Sequence, residues 1–64
     1  MQNTTSGADL RAEREAADVS LNEVAAAMGK HRSTVWRYEL AAHVPQAIVA
    51  RYREAIAARR KAIA

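Results

Sequence analysis

The chain is expected to be all-α, and three observations predict it. Only two glycines and one proline interrupt its 64 residues. Alanine, leucine, glutamate and arginine, which favour helix, make up half of it. No stretch alternates apolar and polar residues in the manner of a half-buried strand. A chain this short forms one domain that buries only about 60% of its unfolded surface, so its stability is expected to be marginal. Without cysteine, it has neither disulfides nor a thiolate zinc site to staple it. Helix packing must do that work, with a second subunit as the available supplement.

Four helices follow in order. Residues 1–7 are mostly polar and carry no charged side chain, which predicts a flexible arm. With no apolar segment behind them, a secretory signal is not expected and a cytoplasmic protein is. The first helix is predicted over residues 8–17, with Ser6 as N-cap and Asp9 in the favourable first turn. Leu10, Arg14 and Ala17 then share a stripe. The second begins at Ser20-Leu21-Asn22-Glu23, which has the form of a capping box, with Val19 and Val24 placed to pack across it. Leu21, Val24, Ala25 and Met28 form its buried face, and Gly29 is the expected left-handed cap. The third begins within a residue or two of Lys30 and runs to about Leu40. Val35, Tyr38 and Glu39 face inward on it, and Arg32, Ser33, Trp36 and Arg37 outward. Pro45 opens the fourth as its first helical residue. Ile48, Val49, Tyr52, Ala55 and Ile56 repeat along it at helical spacing, and it is expected to continue to residue 64. The domain proper is placed at residues 8–58, with 59–64 as a basic end.

Charge is sorted along the chain. Between residues 9 and 23 there are five acids and two bases; between 30 and 37 three bases, one histidine and no acid; from 45 onward five bases and the single acid Glu54. The net charge is +3. Segregated basic segments on a small chain point to a polyanion partner, nucleic acid first. The alternative for any one segment is a solvated helix face, so position must decide.

Position favours nucleic acid between residues 20 and 40. A capped helix of about eight residues, a short turn carrying Gly29 and a second helix of similar length make a helix-turn-helix arrangement. Small Ala25 admits close approach, and Val35 anchors the second helix on the first. Lys30, His31, Arg32, Ser33 and Arg37 are all donors clustered toward the start of that second helix, where a recognition helix meets base edges. Arginine bonds guanine bidentately, and serine serves either donor or acceptor sites.

At these residues the chain resembles the Cro/cI-type (Xre) family of phage and bacterial repressors. The resemblance lies in the segments beginning Leu10-Arg11-Ala12-Glu13-Arg14, Leu21-Asn22-Glu23-Val24-Ala25 and Arg32-Ser33-Thr34-Val35-Trp36-Arg37-Tyr38-Glu39, and in Val44-Pro45. It covers roughly residues 10–56. It implies a lambda-repressor-like, four-helix domain that binds double-stranded DNA and reads the major groove with the helix from about residue 31 to 40. By resemblance, Arg32, Ser33 and Arg37 match base-reading positions, and His31 matches the residue capping the recognition helix. Arg14 and Glu39 match a pair that forms an internal salt bridge. Trp36 lies among the base readers, where it packs a sugar or a thymine methyl, or else it folds over the end of helix four as core cover. Lys30, Thr34, His43 and Gln46 are candidates for phosphate contact, as are Arg59, Arg60 and Lys61 unless they form a solubilising tail. Tyr38 and Tyr52 are expected in the core. The chain departs from the family at Leu21, where glutamine is common, at Lys30, where an apolar residue is usual, and at Ala41, where glycine usually ends the helix. Nothing after Ile56 resembles a fifth helix.

One such module reads only a few base pairs, so a weak homodimer through helix four is expected, with Ile63 a candidate contact. A small Cro-like phage or prophage repressor acting on DNA in a bacterial cytoplasm is the implied function. No catalytic set is visible: His31 and His43 lack a partnering acid nearby, and there is no glycine-rich phosphate loop. No enzyme activity, cofactor, metal, membrane or small-molecule substrate is expected. Two other readings compete. The third helix also resembles that of excisionases and MerR-type modules, which need a β-hairpin wing after it. A helical protein-binding adaptor would instead use helix four as its working surface.

Overall fold

Four helices form in chain order: α1 Gly7–Ala16, α2 Leu21–Met28, α3 Arg32–Leu40 and α4 Gln46–Arg59. They come from a computed structural model that describes residues 4–60. Lys61 and Ile63, named above for the basic end and a dimer contact, lie outside the described residues. The chain is all-α as its composition predicts. Among the described residues the only extended pairing is an isolated antiparallel bridge between Thr5 and Val44.

Local chemistry sets most helix ends. At α2 the Ser20 hydroxyl accepts from the Glu23 amide at 3.1 Å, while the Glu23 carboxylate accepts from the Ser20 amide at 2.9 Å. The α1 start repeats this with Ser6 and Asp9, at 3.1 and 3.3 Å. Gly29 closes α2 at φ 68°. Its amide bonds Ala26 O at 3.2 Å and the Lys30 amide bonds Ala25 O at 3.0 Å, the paired bonds of a left-handed helix stop. The end of α1 uses the same pair, Asp18 to Glu15 O and Val19 to Arg14 O. There Asp18 takes the positive φ of 60°, which a short polar side chain tolerates better than most.

Several boundaries differ from those expected. The supposed free arm through Gly7 is held from Thr5 onward: Val44 donates to Thr5 O at 2.9 Å, Ser6 caps α1, and Gly7 is a buried helical residue. By contrast, α3 starts at Arg32, within two residues of Lys30 as expected, with Lys30 and His31 in the turn. Ala41 ends α3 in an extended conformation, φ −75° and ψ 140°, so no glycine is required there. Pro45 is the cap of α4 and not its first helical residue, with its carbonyl accepting from Ile48 and Val49 at 3.0 Å each. Helix α4 stops at Arg59, where Arg60 leaves helical geometry at ψ 133°.

The core is built where the helical stripes meet. Leu10, Val24, Val35, Val44, Val49 and Tyr52 are fully buried, with Ala17, Val19, Ala25, Ala55 and Ile56 around them. Leu21, Met28, Tyr38 and Ile48 pack on its margin. Burying each large apolar side chain contributes about 1.5–3 kcal/mol. Helix α2 packs on α4 and α3, and α1 lies across α3 and α4. This packing leaves one side of α3 uncovered.

Candidate nucleic-acid interface

That uncovered side carries the polar sequence of α3. Val35 and Glu39 are buried, and they set the helix's rotation. Arg32, Ser33, Trp36, Arg37 and Leu40, in the other phase, are exposed. Two cations and a hydroxyl therefore stand outward in the first two turns. The three-residue turn of Gly29, Lys30 and His31 between α2 and α3 has the length of a helix-turn-helix connection.

His31 is the N-cap of α3. Its Nδ1 accepts from the Ser33 amide at 3.1 Å and lies 2.8 Å from Ser33 Oγ. With Nδ1 accepting, the neutral ring carries its proton on Nε2, a donor on an exposed residue. Ser33 Oγ lies against the same nitrogen. The cap thus shapes both side chains. Lys30 is exposed beside it, and Thr34 is half-buried with its amide bonded to His31 O at 3.0 Å. His43 and Gln46 are exposed at the other end of the domain's connecting loop, around the start of α4.

Trp36 does not fold over the end of α4. Its ring lies beside α1, where the Arg11 guanidinium carbon sits 5.9 Å from the ring centroid. Arg11 is itself braced by Glu15, Nε to Oε2 at 3.1 Å. Trp36 keeps 41% of its surface exposed. A cleft between Leu21 of α2 and Arg32, Ser33 and Trp36 of α3 opens on this side.

Behind the exposed face sits a buried polar knot. Arg14 Nε and Nη2 contact Glu39 Oε2 and Oε1 at 2.8 and 3.2 Å, and Arg14 Nη1 donates to Val19 O at 3.1 Å. The Tyr52 hydroxyl donates to Glu39 Oε2. The Glu39 side chain is fully buried and that of Arg14 is 11% exposed. Hydrogen bonding to Glu39 raises the Arg14 pKa, more than burial lowers it. Burial, then the bond to Glu39, pushes the Tyr52 phenol well above the ordinary tyrosine range. Three helices thus meet on one carboxylate, which ties the inner side of α3 to α1 and α4.

The profile of the helix-turn-helix domain matches residues 7–62. The chain belongs to the helix-turn-helix domain family. No curated protein and no solved structure matches it. The family is one of DNA-binding domains built on a helix-turn-helix; here α2 and α3 are the two helices of that motif. No strand follows α3 among the described residues, so the wing that an excisionase or MerR-type reading requires is not there. Among those residues no three or more His, Cys, Asp or Glu cluster to hold a metal, and no helix is long and apolar enough to cross a membrane.

Tyr52 as the third member of the knot and Arg11 as the neighbour of Trp36 were not expected from the sequence. Nor was the pair of Arg53 and Glu13, joined at 2.8 and 3.0 Å between α4 and α1. Helical phase places Tyr52 in the core, but only the folded arrangement reveals which carboxylate its hydroxyl finds.

Proposed function

We propose that this helix-turn-helix domain is a sequence-specific transcriptional regulator of the Cro/cI type, acting by occupying an operator. The observation that carries the reading is the division of α3, with Val35 and Glu39 buried while Arg32, Ser33, Trp36 and Arg37 stand exposed on its opposite side. Arg32 and Arg37 read guanine edges in the major groove, and Ser33 offers acceptor lone pairs beside them. Lys30, His31 and Thr34 contact phosphate at one end of the motif, and His43 and Gln46 at the start of α4, fixing register without reading sequence. Two copies on half-sites about 34 Å apart supply the specificity that one module lacks. The outer face of α4 joins them.

Two measurements test this. Affinity for random duplex is measured across a series of salt concentrations, where a DNA-binding face predicts a steep fall as salt rises. Selection of bound sequences from a random DNA pool then predicts a consensus with two-fold symmetry. A consensus without symmetry removes the dimer and keeps the regulator. Weak, salt-insensitive binding with no consensus refutes the regulator, and leaves α4 as the working surface of a protein-binding adaptor.

A further inference from the structure

We propose that the cleft between Leu21 and Trp36 receives the C5-methyl group of a thymine, making these two side chains the thymine-specific part of the DNA-reading face. The proposal rests on the DNA-reading role of α3. Its structural basis is a cleft of about 350 Å³ that takes Leu21 from the first position of α2 and Arg32, Ser33 and Trp36 from α3. Its two apolar walls stand on different helices, so the cleft exists only because the motif is folded.

Both walls are held in place. The capping box of Ser20 and Glu23 fixes the first turn of α2, where Leu21 is half-buried against the core margin. The Trp36 ring has the Arg11 guanidinium 5.9 Å from its centroid, and Glu15 braces Arg11. Ser33 Oγ lies 2.8 Å from His31 Nδ1, so the helix cap already engages that hydroxyl. The cleft is therefore a preformed recess with Leu21 and Trp36 as its apolar walls and Arg32 and Ser33 as its polar ones.

Charge complementarity selects the occupant. Arg32 in the lining suits a polyanion, and a group seated between Leu21 and Trp36 must be apolar. On the major-groove edges of DNA the thymine methyl is the one apolar group that projects into the groove; cytosine shows only a C5 hydrogen there, and the other recognition positions are donors or acceptors. Leucine and the face of the tryptophan ring cannot satisfy a donor or acceptor, so a polar group is disfavoured between these two walls.

The test uses the preferred duplex found by selection. Each thymine is replaced in turn by deoxyuracil, which keeps every hydrogen-bonding group and removes only the methyl. For the unaltered protein, one thymine position is expected at which deoxyuracil weakens binding about fourfold, the factor that burying one methyl is worth. In Leu21→Ala and Trp36→Ala the ratio of affinities for the thymine and deoxyuracil duplexes at that position is expected to fall toward one. Because each variant supplies its own ratio, a loss of folded protein cancels. A preferred duplex with no methyl-sensitive thymine, or with sensitivity unchanged in both variants, overturns the role of the cleft alone. The lack of any preferred duplex overturns the DNA-reading function and the cleft's role together.

Discussion

Arg14 and Glu39, 25 residues apart in the chain, face each other across α1 and α3 with two nitrogen–oxygen contacts of 2.8 and 3.2 Å. A carboxylate this deeply buried is tolerated because each oxygen has a partner: Oε1 takes Arg14 Nη2, and Oε2 takes Arg14 Nε and the Tyr52 hydroxyl. The pair locks the rotation of α3 about its own axis. Turning α3 so that Arg32 or Arg37 pointed inward would pull Glu39 out of this knot and Val35 out of the core.

Glu39→Ala leaves a nearly buried guanidinium and a buried phenol without their acceptor. A loss of about 3–5 kcal/mol is expected, as for breaking a buried ion pair from one side. For a domain of this size that is a large part of the whole stability. Urea unfolding followed by circular dichroism measures it; a loss under about 1 kcal/mol would mean that Glu39 and Arg14 act as independent surface charges.

Tyr52→Phe keeps the ring in the core and removes only the hydroxyl. A loss of about 1.5–3 kcal/mol is expected for a hydrogen bond to a charged acceptor. The pH dependence has a definite sign. Burial and Glu39 raise the folded-state pKa of Tyr52 above its unfolded value, so the folded chain holds the proton more tightly. This contribution is fully present below the ordinary tyrosine range, near about pH 10, and is lost as pH rises beyond it. Denaturant midpoints measured from neutral to alkaline pH should decline above that range, and decline less in Tyr52→Phe.

Gly7 meets α3 backbone to backbone. Its amide donates to Ala41 O at 2.8 Å, and a Cβ there would press into the Tyr38 and Glu39 carbonyl region well inside van der Waals contact. Those atoms are main chain and cannot swing aside. Gly7→Ala is expected to cost about 1–3 kcal/mol through overpacking, read as a lowered thermal midpoint. An unchanged midpoint would show that α1 is free to shift away from α3.

What was legible in the sequence was local. The Ser20–Glu23 box and the Gly29 stop depend on residues within one turn of each other, and both stand where their spacing predicts. The phase of α3 followed from Val35. The Arg14–Glu39 contact was expected only through the family resemblance, since nothing within either segment names its partner. Tyr52, Arg11 and Gly7 were not legible as partners because their contacts arise from tertiary docking. A hydroxyl in an apolar stripe, an arginine in a run of charges and a glycine in a polar arm carry no label for the helix they will meet. With Ala41 in place of glycine, α3 was expected to run on or to close differently, and it closes differently, in an extended conformation.

Arg37→Ala removes an exposed cation from the second turn of α3. The expected cost on the preferred duplex is about 1–3 kcal/mol, with relaxed preference at one base position. Titration of preferred and random duplexes with the variant decides its role: equal losses on both would make Arg37 a phosphate contact and not a base reader.

The account stands on the outward face of α3 being the surface that meets DNA. Backbone amide chemical shifts of the intact chain, followed by nuclear magnetic resonance while a selected duplex is added, test that most directly. The account predicts the largest changes from Lys30 to Arg37 and at Leu21, with smaller ones at His43 and Gln46. Changes concentrated along Arg51, Glu54 and Ala58 of α4, with Arg32 and Arg37 unmoved, would contradict it.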